Sequence, residues 1–224
     1  MNTTDNTGLG LIKAVIERVQ NEKSLFNSAL KKLVNSTEEE LDDFLKRKIT
    51  AKVTEGIIRL ISGDSTLTIK ALDGSRLIYN AKDTFKSGID GDFVNWGVNN
   101  PGVATMEAFV QVHEMIGDGK LMDIFKSLPG TWNQKWLSQN QFIDFCETLP
   151  DWLRQEGYGT FSLIKKDENK PINEDNPEDN LVVVGVRVNS DGLDVYVNRL
   201  GDADVFDGQF RRRVVSPQLI PSVT

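Results

Sequence analysis

The sequence has very few of the residues that carry covalent or metal chemistry. Cys146 is the only cysteine and His113 the only histidine among 224 residues. One cysteine excludes an intramolecular disulfide and a Cys-rich zinc site, and one histidine excludes a multi-histidine metal centre. The chain also lacks a G-x-S-x-G elbow, a Walker loop and a G-x-G-x-x-G motif. These absences favour a protein without enzymatic activity, cofactor or bound metal over an enzyme.

Long hydrophobic runs are absent as well. No stretch approaches the roughly 18 apolar residues that span a bilayer, and residues 1–15 lack the basic and apolar regions of a secretory signal. Acidic residues outnumber basic ones by 33 to 26, which gives a formal charge of -7. This balance argues against a dedicated nucleic-acid-binding protein, because phosphate contacts require a basic surface. We expect a soluble, cytoplasmic protein that binds neither membranes nor nucleic acid.

The N-terminal region has the periodicity of helices. Within residues 9–34, apolar side chains recur seven apart, at Ile12, Val19, Phe26 and Leu33. The resulting apolar seam either packs on the protein's own sheet or pairs with copies from other subunits, and the pattern leaves both alternatives open. A T-x-x-E capping box, which begins at Thr37, predicts a second helix. We therefore predict a helical region over residues 1–50 and an α+β domain over residues 51–224.

The C-terminal third predicts a sheet. Four strand-like runs with short turns follow one another at 159–165, 181–188, 193–199 and 205–215. They predict a four-stranded antiparallel meander that the preceding helices cap. The fold class is therefore α+β, with N-terminal helices and a mainly antiparallel sheet. Residues 165–180 are polar and charged with Ile172 as their only aliphatic residue, so we expect a mobile acidic loop there.

Local patterns predict three elements in the middle of the chain. An Asp-Gly pair at Asp73 predicts a hairpin between residues 66–71 and 76–81. Residues 108–115, AFVQVHEM, fit a strand or a helix, and their V-x-V alternation favours the strand. Ser138 begins a helix with a capping box.

The first candidate site is the loop from Gly88 to Gly102, which is rich in Gly, Asn and Asp. Asp90, Asp92 and Asn95 invite a calcium interpretation, but their spacing does not fit the EF-hand loop. Turn chemistry, in which these side chains bond their own backbone, is the favoured alternative to an irregular cation site. If the protein is an enzyme, we expect its site in a pocket beside these residues and Trp96.

The second candidate site is a group of arginines on neighbouring C-terminal strands: Arg187, Arg199, Arg211 and Arg213. Such a stripe would bind phosphate or a carboxylate bidentately. The favoured alternative is that these arginines pair with acids across strands, as Arg187 would with Asp194.

A pairing of Cys146 with His113 as nucleophile and base is a third hypothesis. Cys146 lies on the apolar stripe of a predicted helix, where cysteine is usually an inert small hydrophobe. We therefore predict no catalytic residue.

Several blocks between Leu72 and Leu219, among them FVNWG, VQVHEM, WLRQEGYGTFSLIK, DGLDVYVNRL and QFRRRVVSPQL, resemble a family of short hypothetical proteins from candidate-phylum (Patescibacteria) genomes. No activity is assigned to that family, so the resemblance implies no catalytic or binding residue. We expect a non-enzymatic interaction or assembly protein, which contacts a protein partner or itself through residues 9–34. The alternatives are an enzyme with a site near the loop from Gly88 to Gly102, and an anion or nucleic-acid binder that uses the arginines.

Overall fold

The computed structural model describes residues 56–63 and 65–219. All of them belong to the second of the two units into which the chain divides, Glu55–Thr224. The helices predicted over residues 1–50, with the seam at 9–34, lie outside the described residues.

Within the described residues, a mixed sheet of eight strands forms the centre of this unit. The strands are β1 (Ile58–Leu60), β2 (Leu67–Ile69), β3 (Gly88–Ile89), β4 (Ala108–Met115), β6 (Thr160–Lys165), β7 (Leu181–Asn189), β8 (Gly192–Arg199) and β10 (Arg213–Pro217). They lie in the order β1-β4-β10-β6-β7-β8-β3, with β2 also paired to β4. A separate two-stranded sheet joins β5 (Gly119–Lys120) to β9 (Val205–Phe206).

Among the described residues, three α-helices accompany the sheets: α1 (Asp92–Asn95), α2 (Leu121–Lys126) and α3 (Gln139–Thr148). Short 3-10 helices lie at Ile78–Asn80, Trp132–Gln134, Pro150–Trp152, Pro177–Asp179 and Gly208–Phe210. Helices and strands together confirm the α+β class.

The sheet is buried on both faces. Alternate side chains of β7 point to opposite sides, so that Val182 and Val184 join one core with α3 while Leu181 and Val183 join another with α2. We call these the first core and the second core. Burial on both faces explains why β7 reads as a continuous apolar run in the sequence.

The predicted four-stranded meander is wrong in its last strand. Antiparallel pairing joins β6 to β7 and β7 to β8, but β10 does not pair with β8. Instead β10 runs parallel to β6 and antiparallel to β4, and the free edge of β8 pairs with β3. The chain leaves the main sheet after β8 because β9 pairs with β5. A 3-10 helix and Arg211, at φ 50°, then lead into β10.

Two of the three predicted elements are confirmed. β4 is a strand over Ala108–Met115, as its alternation indicates. Ser138 caps α3: its hydroxyl accepts from the Gln141 N–H at 3.1 Å, and the Gln141 side chain accepts from the Ser138 N–H at 2.9 Å. This reciprocal pair satisfies two N–H groups at the helix start.

The hairpin predicted around Asp73 does not form. The Asp73 carboxylate accepts from the N–H and hydroxyl of Ser75, which makes a local turn. After the turn the chain docks on α3: the Ile78 N–H donates to Gln139 Oε1 at 3.1 Å, and the Arg76 guanidinium bonds Glu147 at 2.7 and 2.8 Å. Contacts with α3 therefore replace the cross-strand pairing that the Asp-Gly signal favours.

The polar loop after β6 follows a path that side chains define. Asn180 bonds the backbone of Asp167 through both atoms of its amide, and Glu174 accepts from the N–H groups of Trp132 and Asn133. Ile172 is 6% exposed and belongs to the second core. We expected mobility because the loop has few apolar side chains to bury. The burial of Ile172 and these hydrogen bonds give the loop contacts that the expectation did not include. Mobility itself stays a prediction.

Candidate functional site

The four predicted arginines do not share a surface. Arg187 lies on the face of the second core, where it pairs with Asp194 and stands 4.7 Å from the Tyr196 ring. Arg199 lies opposite Val182, on the face of the first core. In β8, Asp194 is the residue in register with Arg187, and Arg199 comes five residues after it. At about 3.4 Å per residue, Arg199 lies about 17 Å further along the strand than Asp194.

Arg211 and Arg213 both lie beside Glu114, and each bonds groups of the protein itself. Arg211 precedes β10 in a left-handed conformation and pairs with Glu114 at 3.3 Å. Arg213 begins β10 and donates to the carbonyls of Asp151 and Leu153, both at 3.0 Å. Burial and the nearby Arg154 lower the pKa of Arg213. Three of the four arginines are therefore engaged within the protein.

The carboxylates of the loop from Gly88 to Gly102 accept hydrogen bonds from the loop itself and from β8. Asp90 accepts from the Asp92 N–H at 3.0 Å and from the Val197 N–H at 3.4 Å, and Asp92 accepts from the Asn95 amide at 2.9 Å. The bond between the Asp92 N–H and Asp90 is the turn chemistry favoured from the sequence, whereas the bond from the Val197 N–H joins the loop to β8. These bonds hold α1 against β8 and place Trp96 at the end of α1.

The structure brings together Trp96 and Arg199, one residue from each predicted site. The Arg199 guanidinium lies 5.1 Å from the centre of the half-buried Trp96 ring. Both residues line a cleft of about 490 Å³ with Lys166, Glu178, Leu181, Val182, Gly201 and Asp202. We call it the Trp96–Arg199 cleft. Its volume is in the range typical of small-molecule sites, roughly 300–1,000 Å³.

A second cavity of about 590 Å³ adjoins the first and shares Trp96 and Lys166 with it. Its remaining lining comes from the loop after α1 and the segment between β6 and β7: Gly97, Asn100, Asp167, Lys170, Pro171, Asn173, Asp179 and Asn180. Lys170 pairs with Asp167 at 3.3 Å, so the charges of this cavity are partly compensated within the protein.

Charges of both signs line the Trp96–Arg199 cleft without pairing to each other. Within the described residues, the Arg199 guanidinium meets no carboxylate and no hydrogen-bond acceptor, only the Trp96 ring. Lys166 donates to the backbone carbonyls of Glu178 and Asp179 at 2.8 and 3.2 Å. Asp202 accepts the backbone N–H of Arg199 at 3.1 Å. None of the cleft's cations forms an ion pair with its carboxylates, across the part of the chain that the structure describes.

Cys146 and His113 lie on opposite faces of the sheet. Cys146 belongs to the first core. His113 pairs in register with Val214 of the second core, and directly opposed residues point to the same face. Burial raises the pKa of the Cys146 thiol and lowers the pKa of His113 to about 4. The sheet therefore separates these two side chains and prevents a nucleophile–base pair.

Among residues 56–63 and 65–219, no three His, Cys, Asp or Glu side chains group as metal ligands would. The helices in these same ranges are all too short or too polar to cross a membrane.

Compared with known proteins, the chain matches no family model, no curated protein and no solved structure. The resemblance to the Patescibacteria family stays a prediction.

Sequence reasoning did not consider Lys166 and Glu178, and it set Asp202 aside with Asp204 and Asp207 as an acidic cluster, because such clusters are usually solvated turns. The first two belong to the segment expected to be a mobile loop, and Asp202 lies in the turn after β8. Their only local signal is charge density, which solvated loops share. Trp96 and Arg199 were both candidates, but Arg199 comes 103 positions after Trp96, and the pairing of β3 with β8 brings them together.

Proposed function

We propose that the described part of the chain is a non-enzymatic binding module, and that the Trp96–Arg199 cleft binds a small molecule through its carboxylate. The observation that carries this proposal is the Arg199 guanidinium, which lies over Trp96 and has no acidic partner among residues 56–63 and 65–219. Arginine has five N–H donors in a planar fork that fits a carboxylate bidentately.

The surroundings of Arg199 favour a carboxylate over a phosphate. Its cleft has two cations, Arg199 and Lys166, and two anions, Glu178 and Asp202. A phosphate with close to two negative charges would meet repulsion from both carboxylates. A carboxylate carries one charge, and a bidentate pair with arginine is short and strong.

The apolar part of the lining supports a ligand with an apolar body. The half-buried Trp96 ring supplies that surface and contributes to both adjoining cavities, whereas Leu181 and Val182 border the cleft but are themselves fully buried. Small-molecule sites commonly combine such apolar surface with a few polar groups that orient the ligand. Assembly through residues 9–34 is a separate proposal, which this cleft does not require.

Titration with 3-phenylpropanoate, followed by NMR of the folded chain, tests the proposal. We expect saturable binding that Arg199→Ala weakens by roughly tenfold to hundredfold, as loss of a charge-assisted hydrogen bond of about 1.5–3 kcal/mol would give. Arg187→Ala is the matched control, because Arg187 also stands over an aromatic ring at 4.7 Å but lies outside the cleft. Equal binding to the Arg199→Ala variant would overturn the proposal, and so would the absence of binding by every carboxylate tested.

A further inference from the structure

Within the part of the chain that the structure describes, the Trp96–Arg199 cleft has carboxylates as well as cations that form no ion pair. Glu178 is half-buried. No lysine or arginine in the part of the chain that the structure describes forms an ion pair with its carboxylate. The Lys166 ammonium donates a hydrogen bond to the backbone carbonyl of Glu178 and not to its carboxylate. Asp202 is also half-buried and bonds one backbone N–H. A half-buried carboxylate without a cation has lost some of its hydration and gained no ion pair.

Both carboxylates lie near the end of β8 that carries Arg199. The Asp202 carboxylate accepts the Arg199 N–H at 3.1 Å, and Glu178 Oε1 lies 3.7 Å from the position that a Cβ of Gly201 would take. The Arg199 guanidinium nevertheless lies against Trp96 and not against either carboxylate. The cleft therefore presents a donor fork and a carboxylate as separate features within one cavity.

We propose, resting on the function proposed above, that the ligand is a small amino acid-like zwitterion. Arg199 binds its carboxylate, and Glu178 binds its ammonium group while Asp202 adds negative potential beside it. The charges of the cleft support this assignment. Two cations and two anions line it, so a ligand without net charge leaves the net charge of the cleft at zero. A monoanion without an ammonium group is repelled by the two carboxylates, and a monocation without a carboxylate is repelled by Arg199 and Lys166.

The ligand set for the test consists of two zwitterions and their singly charged counterparts. L-phenylalanine has neighbouring charges and is compared with 3-phenylpropanoate, which lacks the amine, and with 2-phenylethylamine, which lacks the carboxylate. 6-Aminohexanoate has separated charges and is compared with hexanoate. We expect at least one zwitterion to bind tenfold or more tightly than its counterparts, measured by NMR titration of the full chain.

The residue roles are tested with Glu178→Gln, which removes the charge and keeps the size and the carbonyl that Lys166 uses. This variant should lose the preference for the zwitterion and bind the simple carboxylate at least as well as before. Asp204→Asn is the control, since Asp204 lies two residues from Asp202 but does not line the cleft.

If neither zwitterion exceeds its deaminated counterpart, or if Glu178→Gln leaves the preference unchanged, the zwitterion assignment is wrong. Should simple carboxylates still depend on Arg199, the proposed carboxylate site survives that result. If no carboxylate depends on Arg199, both proposals fail.

Discussion

Buried polar side chains in this protein are held mainly by backbone groups. Lys135 is 4% exposed, and its ammonium donates to the carbonyls of Phe125 and Lys126 at 3.1 and 3.3 Å, at the end of α2. Burial lowers the pKa of Lys135, but these carbonyls are helix-end acceptors that have no partner within the helix. His113 is different: its Nδ1 is buried without a hydrogen-bond partner among the described residues.

The isolation of His113 predicts a pH dependence of stability. His113 is 7% exposed, and burial lowers its pKa from 6.5 to about 4. As the pH falls, the unfolded chain binds this proton first. The histidine contribution to the free energy of unfolding is therefore fully present above pH 6.5. It is lost between pH 6.5 and 4, by up to about 3 kcal/mol.

Urea denaturation at a series of pH values checks this prediction. His113 is the only histidine, and carboxyl groups titrate mostly below about pH 4.5. The loss of unfolding free energy between pH 6.5 and 4.5 should therefore come from His113. In the His113→Gln variant the unfolding free energy should change little over this range. The measurement compares the slope of the unfolding free energy against pH in the two proteins, not their absolute stabilities. An equal slope in both proteins would contradict the prediction.

At the scale of elements, one glycine determines how β7 and β8 pack together. Gly185 lies in register with Tyr196 on β8 and with Phe161 on β6. A Cβ on Gly185 would stand 2.4 Å from Cζ of Tyr196, so the tyrosine ring crosses the strand only because that atom is missing. Burial raises the pKa of Tyr196 to about 12, and its ring packs at an edge against Phe161.

Gly185→Ala should therefore destabilise the protein by about 1–3 kcal/mol, the usual cost of an added methyl group in a filled space. Chemical denaturation measures the difference. Gly91→Ala is the control, because nothing lies within 4 Å of its Cβ position, and we expect a change of no more than about 0.5 kcal/mol. A Gly185→Ala variant as stable as the control would show that the ring can move aside at little cost.

At the scale of the whole molecule, self-association through residues 9–34 stays a prediction from the sequence. The apolar seam favours assembly if it pairs between copies. We predict a mass above the 25.1 kDa of one chain by light scattering at micromolar concentration. Replacing Val19 and Phe26 together by Glu should give single chains, whereas Asn21→Glu, off the seam, should not. A full-length chain that is already monomeric would contradict the assembly hypothesis.

Local interactions account for the parts of the fold that could be predicted. Ser138 and Gln141 cap α3 through bonds three residues apart, and β6, β7 and β8 are joined in order as neighbouring antiparallel strands. The position of β10 could not be predicted in this way, because its partners β4 and β6 are distant in the sequence and both faces of the sheet are apolar. The hairpin at Asp73 failed for a similar reason, since α3 competes for the same segment.

The amino-acid sequence by itself determined the α+β class, the capped helix α3 and the neighbouring pairing of β6 to β8, because each depends on side-chain periodicity or on contacts a few residues apart. Only the tertiary structure decided the order of the sheet, the separation of Cys146 from His113, and the cleft that joins Trp96 to Arg199. Those features depend on which distant strands pair, and the free energy of that choice comes from burying both faces of one sheet against helices far away in the chain.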